Sequence, residues 1–487
     1  MRKHFAEHAA VDMCNRWWAL VVLSLGSLMI VLDETIVIIA LPKIGADLGF
    51  SGGGLVWVVN AYLLTFAGFL LLGGRLGDMF GHRRLFLLGI ALFTFASLGC
   101  GVASRQGWLI CARAAQGLGG AVVSAVALSL ALNLFLEPRE RAKAIGVFGF
   151  VSAGGGSIAL LLGGTLTSVL SWHWIFLINV PIGVAVSVFG IGLLPKDRDH
   201  AKSGGLDVAG AVTVTTSLMM ALYAILNCND PDGSSAQTLA LLAIAAALLL
   251  FFLGIETRVR TPLMPLGFFH LGNLAVANII YALLTAALLA WYCIVTLYLQ
   301  IILKYSPLQV GLAFLPANQI MAAFALGLSH RLVIRFGIKS LIVIGLLFAS
   351  AGLALFVLAP VDGKFVRDIF PGMLLVSIGV AMTSTPLFLA ALSGIDPRDF
   401  GLASGVLGAT SIMGAAFGLS VLITVAAART NNLLASGATL LGALNSGYHF
   451  VFIICSVLMV AAASVGIMFL RTGEQRCSIR GQVPSPK

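Results

Sequence analysis

The chain has 487 residues, of which 59% are hydrophobic and only 10% are charged. A soluble domain carries about 25% charged residues, so the composition excludes an ordinary water-soluble protein and indicates a surface that faces lipid. The net charge of +10 would suit a nucleic-acid partner, but the positions of the basic residues favour a membrane surface instead.

Apolar stretches recur along the chain, each with the roughly 20 residues that a helix needs to cross a bilayer. The predicted spans, in chain order, are 17–38, 55–74, 85–104, 107–131, 144–167, 174–194, 207–227, 237–255, 272–300, 308–328, 340–360, 369–392, 401–427 and 447–470. The sequence therefore predicts an all-α integral membrane protein with fourteen transmembrane helices.

Basic residues are distributed unevenly between the two sides of this predicted bundle. With the N-terminus inside, 22 of the 29 Lys and Arg residues fall in segments on the inner side and six on the outer side. Lys and Arg favour the cytoplasmic side of a membrane, where they meet anionic lipid. This bias predicts a multi-pass protein of the cell membrane with both termini in the cytoplasm.

An internal repeat divides the chain. The segment GRLGDMFGHRRLFLLG at 74–89 matches HRLVIRFGIKSLIVIG at 330–345, with a constant offset of 256 residues. Secondary transporters are commonly built from such repeats, and their substrate sites lie where the repeats meet. The predicted parts are a six-helix half at 1–200, two inserted helices at 201–260, a second six-helix half at 261–470 and a cytoplasmic tail at 471–487.

Three charged residues, Asp33, Glu34 and Arg113, lie well inside predicted spans. Intramembrane charges are functional by default, and burial favours the neutral form of a carboxyl, so Asp33 could bind and release a proton near neutral pH. At a rise of 1.5 Å per residue, Asp33 and Arg113 both lie roughly 8–9 Å below the outer boundary and could form a pair. The alternative is a static ion pair that only fixes helix packing.

Other side chains are candidates for substrate contact. Glu34 points away from the face of Asp33, so it either contacts substrate or extends toward the outer surface. Aromatic side chains of the second and ninth spans could line a cavity for flat or cationic compounds. These aromatic candidates are Trp57, Tyr62, Trp291, Tyr292 and Tyr298. Anchoring at the membrane interface is the expected role of Trp17, Trp18, Trp108 and Trp172.

A glycine-rich segment, GRLGDMFGHRR, follows the second span at 74–84. Its glycines allow a tight cytoplasmic turn and close helix contact, and its Asp could cap a helix or pair with a base. An ordinary basic loop has a similar composition, but the degenerate copy in the second half favours a conformational role. The residues of this predicted conformational loop are Gly74, Asp78, Gly81, Arg83 and Arg84.

Several segments resemble motifs of one transporter family. The 74–84 segment resembles the loop motif of the major facilitator superfamily, although Met79 replaces a usual arginine. The segments LDETIV at 32–37, RAAQGLGGA at 113–121 and WHWIFLINVPIG at 172–183 are similar to segments of its fourteen-span drug:proton antiporters. The resemblance implies transport by alternating access and a role of Arg113 in proton transfer. The fifth span departs from the antiporter pattern because it lacks a Gly-Pro pair.

The expected function is therefore proton-coupled export of drugs, antibiotics or amphipathic small molecules, with Asp33 and Arg113 as the coupling residues. Uptake or facilitated diffusion of a metabolite is the alternative. The sequence has no metalloprotease, P-loop or paired metal-ligand motif, so we expect no enzyme activity, no metal and no cofactor beyond the proton gradient. The expected partners are a small hydrophobic or cationic substrate, protons and the bilayer, with no nucleic acid, and the expected state is a monomer.

Overall fold

The computed structural model describes residues 2–50, 52–135, 137–195, 208–226, 235–259, 273–324, 328–393, 395 and 400–470. The helices are α1 (Arg2–Leu48), α2 (Gly52–Phe80), α3 (His82–Gly101), α4 (Gln106–Leu134), α5 (Pro138–Val169), α6 (Trp174–Leu177), α7 (Asn179–Leu193), α8 (Val208–Leu226), α9 (Ser235–Glu256), α10 (Leu274–Leu297), α11 (Pro307–Ala323), α12 (Ser329–Phe336), α13 (Ile338–Leu355), α14 (Phe370–Leu392), α15 (Phe400–Ala435) and α16 (Leu440–Phe469). The described residues contain no β-strand. The predicted tail at 471–487 and the predicted boundaries at 200–201 and 260–261 lie outside them.

Within the described residues, each predicted span overlaps one of these helices, or two helices in the case of the sixth. Residues 207, 227, 272 and 325–327 of the predicted spans lie outside the described residues. In the described ranges, ten helical segments are long and apolar enough to cross a membrane, and three shorter apolar helices accompany them. A helix is favoured in lipid because it satisfies every backbone hydrogen bond within one segment. The all-helical membrane architecture is thus confirmed, whereas the number of fourteen crossings stays a prediction.

The sixth and ninth predicted spans are not regular α-helices from end to end. The sixth is divided at Ile178 into the short helix α6 and the longer helix α7. The ninth ends in a π-helical turn, Tyr298–Ile302, after α10. In this turn Gln300 Nε2 donates a hydrogen bond to the Ile39 carbonyl of α1 at 2.9 Å, so the turn links two distant parts of the chain.

Buried apolar side chains form two large cores. One draws nearly all of its members from α1–α8 and includes Phe86, Phe93 and Phe176. The other draws nearly all of its members from α10–α16 and includes Trp291 and Phe314. We call these the first core and the second core. They meet where α2 packs against α15 and where α5 packs against α11.

The internal repeat has the same backbone geometry in both copies. Gly81 separates α2 from α3 with φ +98° and ψ 131°, and Gly337 separates α12 from α13 with φ +79° and ψ 160°. This region of backbone space is open to glycine and strained for other residues. The sequence match at an offset of 256 residues therefore reports a repeated helix–glycine–helix joint.

The predicted turn at 74–84 is wrong in its extent. Helix α2 continues through Gly74 and Asp78 to Phe80, so Gly81 alone interrupts the two helices. Gly77 serves helix packing instead, since a Cβ on it would lie 2.7 Å from the Val126 side chain of α4, whereas Gly74 has open space around it. The side chain of Asp78 lies outside the described atoms.

The two basic residues after the joint have different surroundings. Arg83 Nη2 donates a hydrogen bond to the Ile191 carbonyl of α7 at 2.6 Å. Arg84 is exposed. Arg83 thus joins the start of α3 to the end of α7, a contact that the sequence did not indicate.

Paired glycines also bring neighbouring helices unusually close in each copy. A Cβ on Gly89 of α3 would lie 3.1 Å from the carbonyl oxygen of Gly119 in α4. A Cβ on Gly345 of α13 would lie 2.7 Å from the carbonyl oxygen of Gly379 in α14. Small residues allow such close backbone approach in membrane bundles. The α3–α4 and α13–α14 pairs are therefore equivalent contacts of the repeat.

Candidate functional site

Asp33 of α1 and Arg113 of α4 form a salt bridge inside the first core. Arg113 Nη1 contacts Asp33 Oδ2, and both side chains are 0% exposed. A charge is tolerated in such a place only when it is paired and hydrogen-bonded. The pair is therefore a fixed part of the core, and its two members lie 80 positions apart in the chain.

Two side-chain amides complete the surroundings of the Asp33 carboxylate. Gln116 Nε2 donates to Asp33 Oδ1 at 2.6 Å, and Asn179 Nδ2 of α7 donates to the same oxygen at 3.0 Å. Gln116 follows Arg113 by three residues and so lies on the same face of α4. Its Oε1 accepts from Arg113 Nη1 at 2.7 Å. Both charged groups thus share one neutral amide.

The network extends to α3 through the same glutamine. Gln116 Nε2 also donates to Ser97 Oγ at 2.8 Å, and Ser97 in turn donates to the Phe93 carbonyl of its own helix at 2.7 Å. The Cys100 thiol lies 3.6 Å from Gln116 Oε1. Buried polar networks specify one arrangement only when their members are satisfied, and Gln116 satisfies members on three helices.

The Arg113 guanidinium is held by a backbone group and by two rings. Its Nε donates to the Val58 carbonyl of α2 at 2.9 Å. The guanidinium carbon lies 4.3 Å from the centre of the Tyr62 ring and 5.6 Å from that of Phe176. Arg113 Nη2 has no hydrogen-bond partner among the described residues. The contacts with Val58 and Tyr62 do not involve Asp33, and they tie the guanidinium to α2.

Glu34 lies next to Asp33 but outside this network. Its side chain is half-buried and has no hydrogen bond or salt bridge within the described ranges. It remains available for a contact that the network does not use. Among all described residues, no three His, Cys, Asp or Glu side chains converge in a way that could hold a metal ion.

The aromatic candidates of α2 have separate surroundings. Tyr62 is buried beneath Arg113, and its ring also lies 5.7 Å from that of Phe66. Trp57 is half-buried, and its ring lies 6.2 Å from that of Tyr223 in α8. The structure thus places Tyr62 beside the ion pair and Trp57 against one of the two inserted helices.

The aromatic candidates of the ninth span lie in or beside the second core. The Trp291 and Tyr292 rings are 4.7 Å apart, and Tyr292 stacks on Phe314 of α11 at 5.2 Å. The Tyr292 hydroxyl donates to Asn318 Oδ1 at 2.9 Å. Tyr298 is further along the chain, and its hydroxyl donates to the Pro360 carbonyl. Of these three residues, only Tyr292 packs against both cores.

Three of the four tryptophans expected at the membrane interface are exposed, namely Trp17, Trp18 and Trp108. The prediction is wrong for Trp172, which is 4% exposed and stacks on His173. Its Nε1 donates to Asp47 Oδ2 at 2.8 Å. This hydrogen bond satisfies the indole N–H within the protein, so the side chain does not need the interface.

The second core carries apolar side chains where the first carries the ion pair. Counted from the paired glycines of α4 and α14, Met373 occupies the place of Arg113 and Val376 that of Gln116. Met373 and Val376 are both buried. The two copies of the repeat therefore share their helix packing but not their interior chemistry.

Gln116 and Asn179 were not among the residues that the sequence singled out. Both nevertheless lie in segments with a family resemblance, 113–121 and 172–183. An amide one helical turn from an intramembrane arginine, and another within an otherwise apolar span, were the available signals. They were weaker than a charge because a neutral amide is less costly to bury.

Comparisons with known proteins agree with this architecture. The model of the Major Facilitator Superfamily matches residues 23–419. The puromycin resistance protein of Streptomyces alboniger is 37% identical over 427 residues, which cover 87% of this chain and 84% of that protein. The cephamycin export protein of Amycolatopsis lactamdurans is 36% identical over 448 residues, which cover 91% of this chain and 90% of that protein.

Solved structures show the same fold at low sequence identity. The POT family transporter PepTSo has a TM-score of 0.66 and 14% identity, with 93% of this chain and 99% of that chain covered. The xylose transporter XylE from E. coli, in a partially occluded inward-open conformation, has a TM-score of 0.62 and 16% identity, with 94% and 99% covered. Because the family model matches residues 23–419, more than half of the chain, the chain belongs to the Major Facilitator Superfamily and is a multi-span membrane transporter.

Proposed function

We propose that this transporter exports drugs or antibiotics in exchange for protons. The names of its relatives, which include a puromycin resistance protein and a cephamycin export protein, support export of such compounds. The observation that carries the proposal is a carboxylate, Asp33, that is 0% exposed inside the first core yet paired with Arg113. A buried carboxylate is the group that proton coupling requires.

The proposed arrangement has fourteen spans. Two halves of six spans each, α1–α7 and α10–α16, flank the inserted helices α8 and α9 in the sequence, with α6 and α7 forming one span and the short helix α12 forming none. Both termini lie in the cytoplasm. The separate cores and the repeated glycine joints at Gly81 and Gly337 support the two halves. The excess of basic residues on one side supports the orientation. Alternating access is then a movement of one half against the other about a central site.

In the proposed mechanism, a proton from the outside binds the Asp33 carboxylate and neutralises it. Leaving Arg113 without its counter-charge would cost about 3–5 kcal/mol in a buried site. A difference of one pH unit supplies only about 1.4 kcal/mol, so other groups must hold the guanidinium while Asp33 is neutral. The Val58 carbonyl, Gln116 Oε1 and the Tyr62 ring are placed for this task. Release of the proton to the cytoplasm restores the pair.

We place the substrate between the two halves. Glu34, which is half-buried and has no partner in the described part of the chain, is the proposed contact for a cationic group. Trp57 and Tyr292 are the proposed contacts for flat apolar groups, whereas Tyr62 is 1% exposed and stays beneath Arg113. Trp291 and Tyr298 support this surface from behind, because both are buried and Tyr298 is held by the loop after α13.

Proton-driven export from proteoliposomes tests the assignment of Asp33. We expect Asp33→Asn to abolish export driven by an imposed pH gradient while leaving substrate binding measurable, because the amide keeps the shape of the side chain but cannot bind a proton. Glu137→Gln is the control, since it removes an exposed carboxylate that lies outside both the network and the proposed substrate contacts. Unchanged proton-driven export by Asp33→Asn would refute the assignment. Transport that persists after an ionophore collapses the gradient would instead favour facilitated diffusion.

A further inference from the structure

Helix α2 lies between the buried ion pair and helix α15 of the proposed second half. On one side, the Val58 carbonyl accepts from Arg113 Nε at 2.9 Å. On the other side, Asn60 Nδ2 donates to Ser420 Oγ of α15 at 2.6 Å. We infer that the hydrogen bond between Asn60 and Ser420 transmits the state of the Asp33–Arg113 pair to the second half of the transporter. This inference rests on the proposed function, and it assigns both residues a positioning role.

Helix geometry separates the two sides of α2. Successive residues differ by about 100° around a helix axis, so Asn60 and Tyr62 point to opposite sides of α2. Tyr62 faces the Arg113 guanidinium. Thr65, three residues later, returns to the same side, and its hydroxyl donates to the Ala114 carbonyl of α4 at 2.8 Å. One face of α2 is thus bound to α4, and Asn60 reaches the partner half from the opposite face.

Close packing makes α2 and α4 move together. A Cβ on Gly120 of α4 would lie 3.1 Å from the Phe66 ring and 3.2 Å from the Tyr62 hydroxyl. Closely packed interiors transmit a displacement instead of absorbing it. A movement of Arg113 that follows neutralisation of Asp33 is therefore passed to the short α2 segment that contains Asn60.

The contact itself suits a bond that must break during transport. Asn60 and Ser420 are both fully buried. The Ser420 hydroxyl also donates to the Ala416 carbonyl at 2.7 Å, and Asn60 Oδ1 has no partner among the described residues. In a dry interface the bond favours contact between α2 and α15, and its groups can separate at low cost only where water enters between the helices.

The test measures the distance between α2 and α15 by double electron–electron resonance in lipid nanodiscs, without substrate or gradient. Spin labels are placed on cysteines introduced at the Gly52 end of α2 and at the Ala435 end of α15. The protein's own cysteines that react with the label are replaced first. We expect Ser420→Ala and Asn60→Leu each to raise the population with separated helices about tenfold. Ser377→Ala is the matched control, because among the described residues its buried hydroxyl bonds only to the Met373 carbonyl of its own helix.

A second comparison tests transmission from the ion pair. We expect Asp33→Asn to change the population with separated α2 and α15 about tenfold in the otherwise unchanged protein. When Ser420→Ala is present, the same substitution should change this population less than about twofold. The same shift in both backgrounds, or no effect of Ser420→Ala and Asn60→Leu alone, would overturn the inference. Failure of the proposed function is measured separately. Proton-driven export that persists in Asp33→Asn would refute the coupling role of Asp33, and it would not change the helix separation expected for Ser420→Ala and Asn60→Leu.

Discussion

Replacing Arg113 by lysine separates the charge of this residue from its geometry. Arg113→Lys keeps a cation opposite Asp33, but a single ammonium group cannot also hold the Val58 carbonyl and Gln116 Oε1 in the positions that the guanidinium fixes. A hydrogen bond to a charged group contributes about 1.5–3 kcal/mol, and each 1.4 kcal/mol is tenfold. Loss of one such bond during coupling should therefore reduce proton-driven export about 10- to 100-fold.

The assay for this prediction is drug efflux from proteoliposomes with an imposed pH gradient and equal amounts of purified protein. Arg105→Lys is the control, since Arg105 is exposed and lies outside both the network and the predicted conformational loop. Thermal unfolding in detergent checks that both variants are folded. Export by Arg113→Lys within about twofold of the unchanged protein would show that charge alone suffices and that the fork of hydrogen bonds is not needed.

Two further predictions concern the amide network and the repeated joint. Asn179→Leu removes one hydrogen-bond donor from Asp33 Oδ1 but leaves the donor of Gln116, so we expect a loss of export of about tenfold. This loss should not exceed that of Arg113→Lys, and a larger loss would contradict the reasoning. Gly337→Ala forces a side chain onto φ +79° and should destabilise the protein by about 1–3 kcal/mol, seen as a lower unfolding temperature. Gly192→Ala, within α7 and with open space around it, should cause no decrease, and equal effects of both changes would refute the argument.

The helices and the central ion pair could be predicted from the sequence because lipid imposes strong rules. Long apolar runs have few structural alternatives, and a charge within one needs a partner at the same depth. Depth alone placed Asp33 and Arg113 level with each other, and the structure brings them into contact.

The neutral members of the site could not be predicted in the same way. Gln116, Asn179 and Asn60 are amides, and an amide within an apolar run does not reveal which neighbouring helix it faces. That information depends on helix rotation and packing, which the spacing of apolar residues hardly constrains when a helix is apolar on all sides. The extent of α2 was missed for a related reason. Glycines and charges at 74–84 suggested a loop, whereas packing against α4 keeps the segment helical.

Met373 and Val376 occupy the positions of Arg113 and Gln116 in the other copy of the repeat. At these positions only the first copy carries a charge on which an electric field can act. Moving one elementary charge across a membrane voltage of 100 mV corresponds to about 2.3 kcal/mol. While the salt bridge is intact its charges cancel, and neutralising Asp33 exposes one net positive charge to that voltage. The membrane voltage would then act on the first copy of the repeat, and the second copy would move through its contacts with the first.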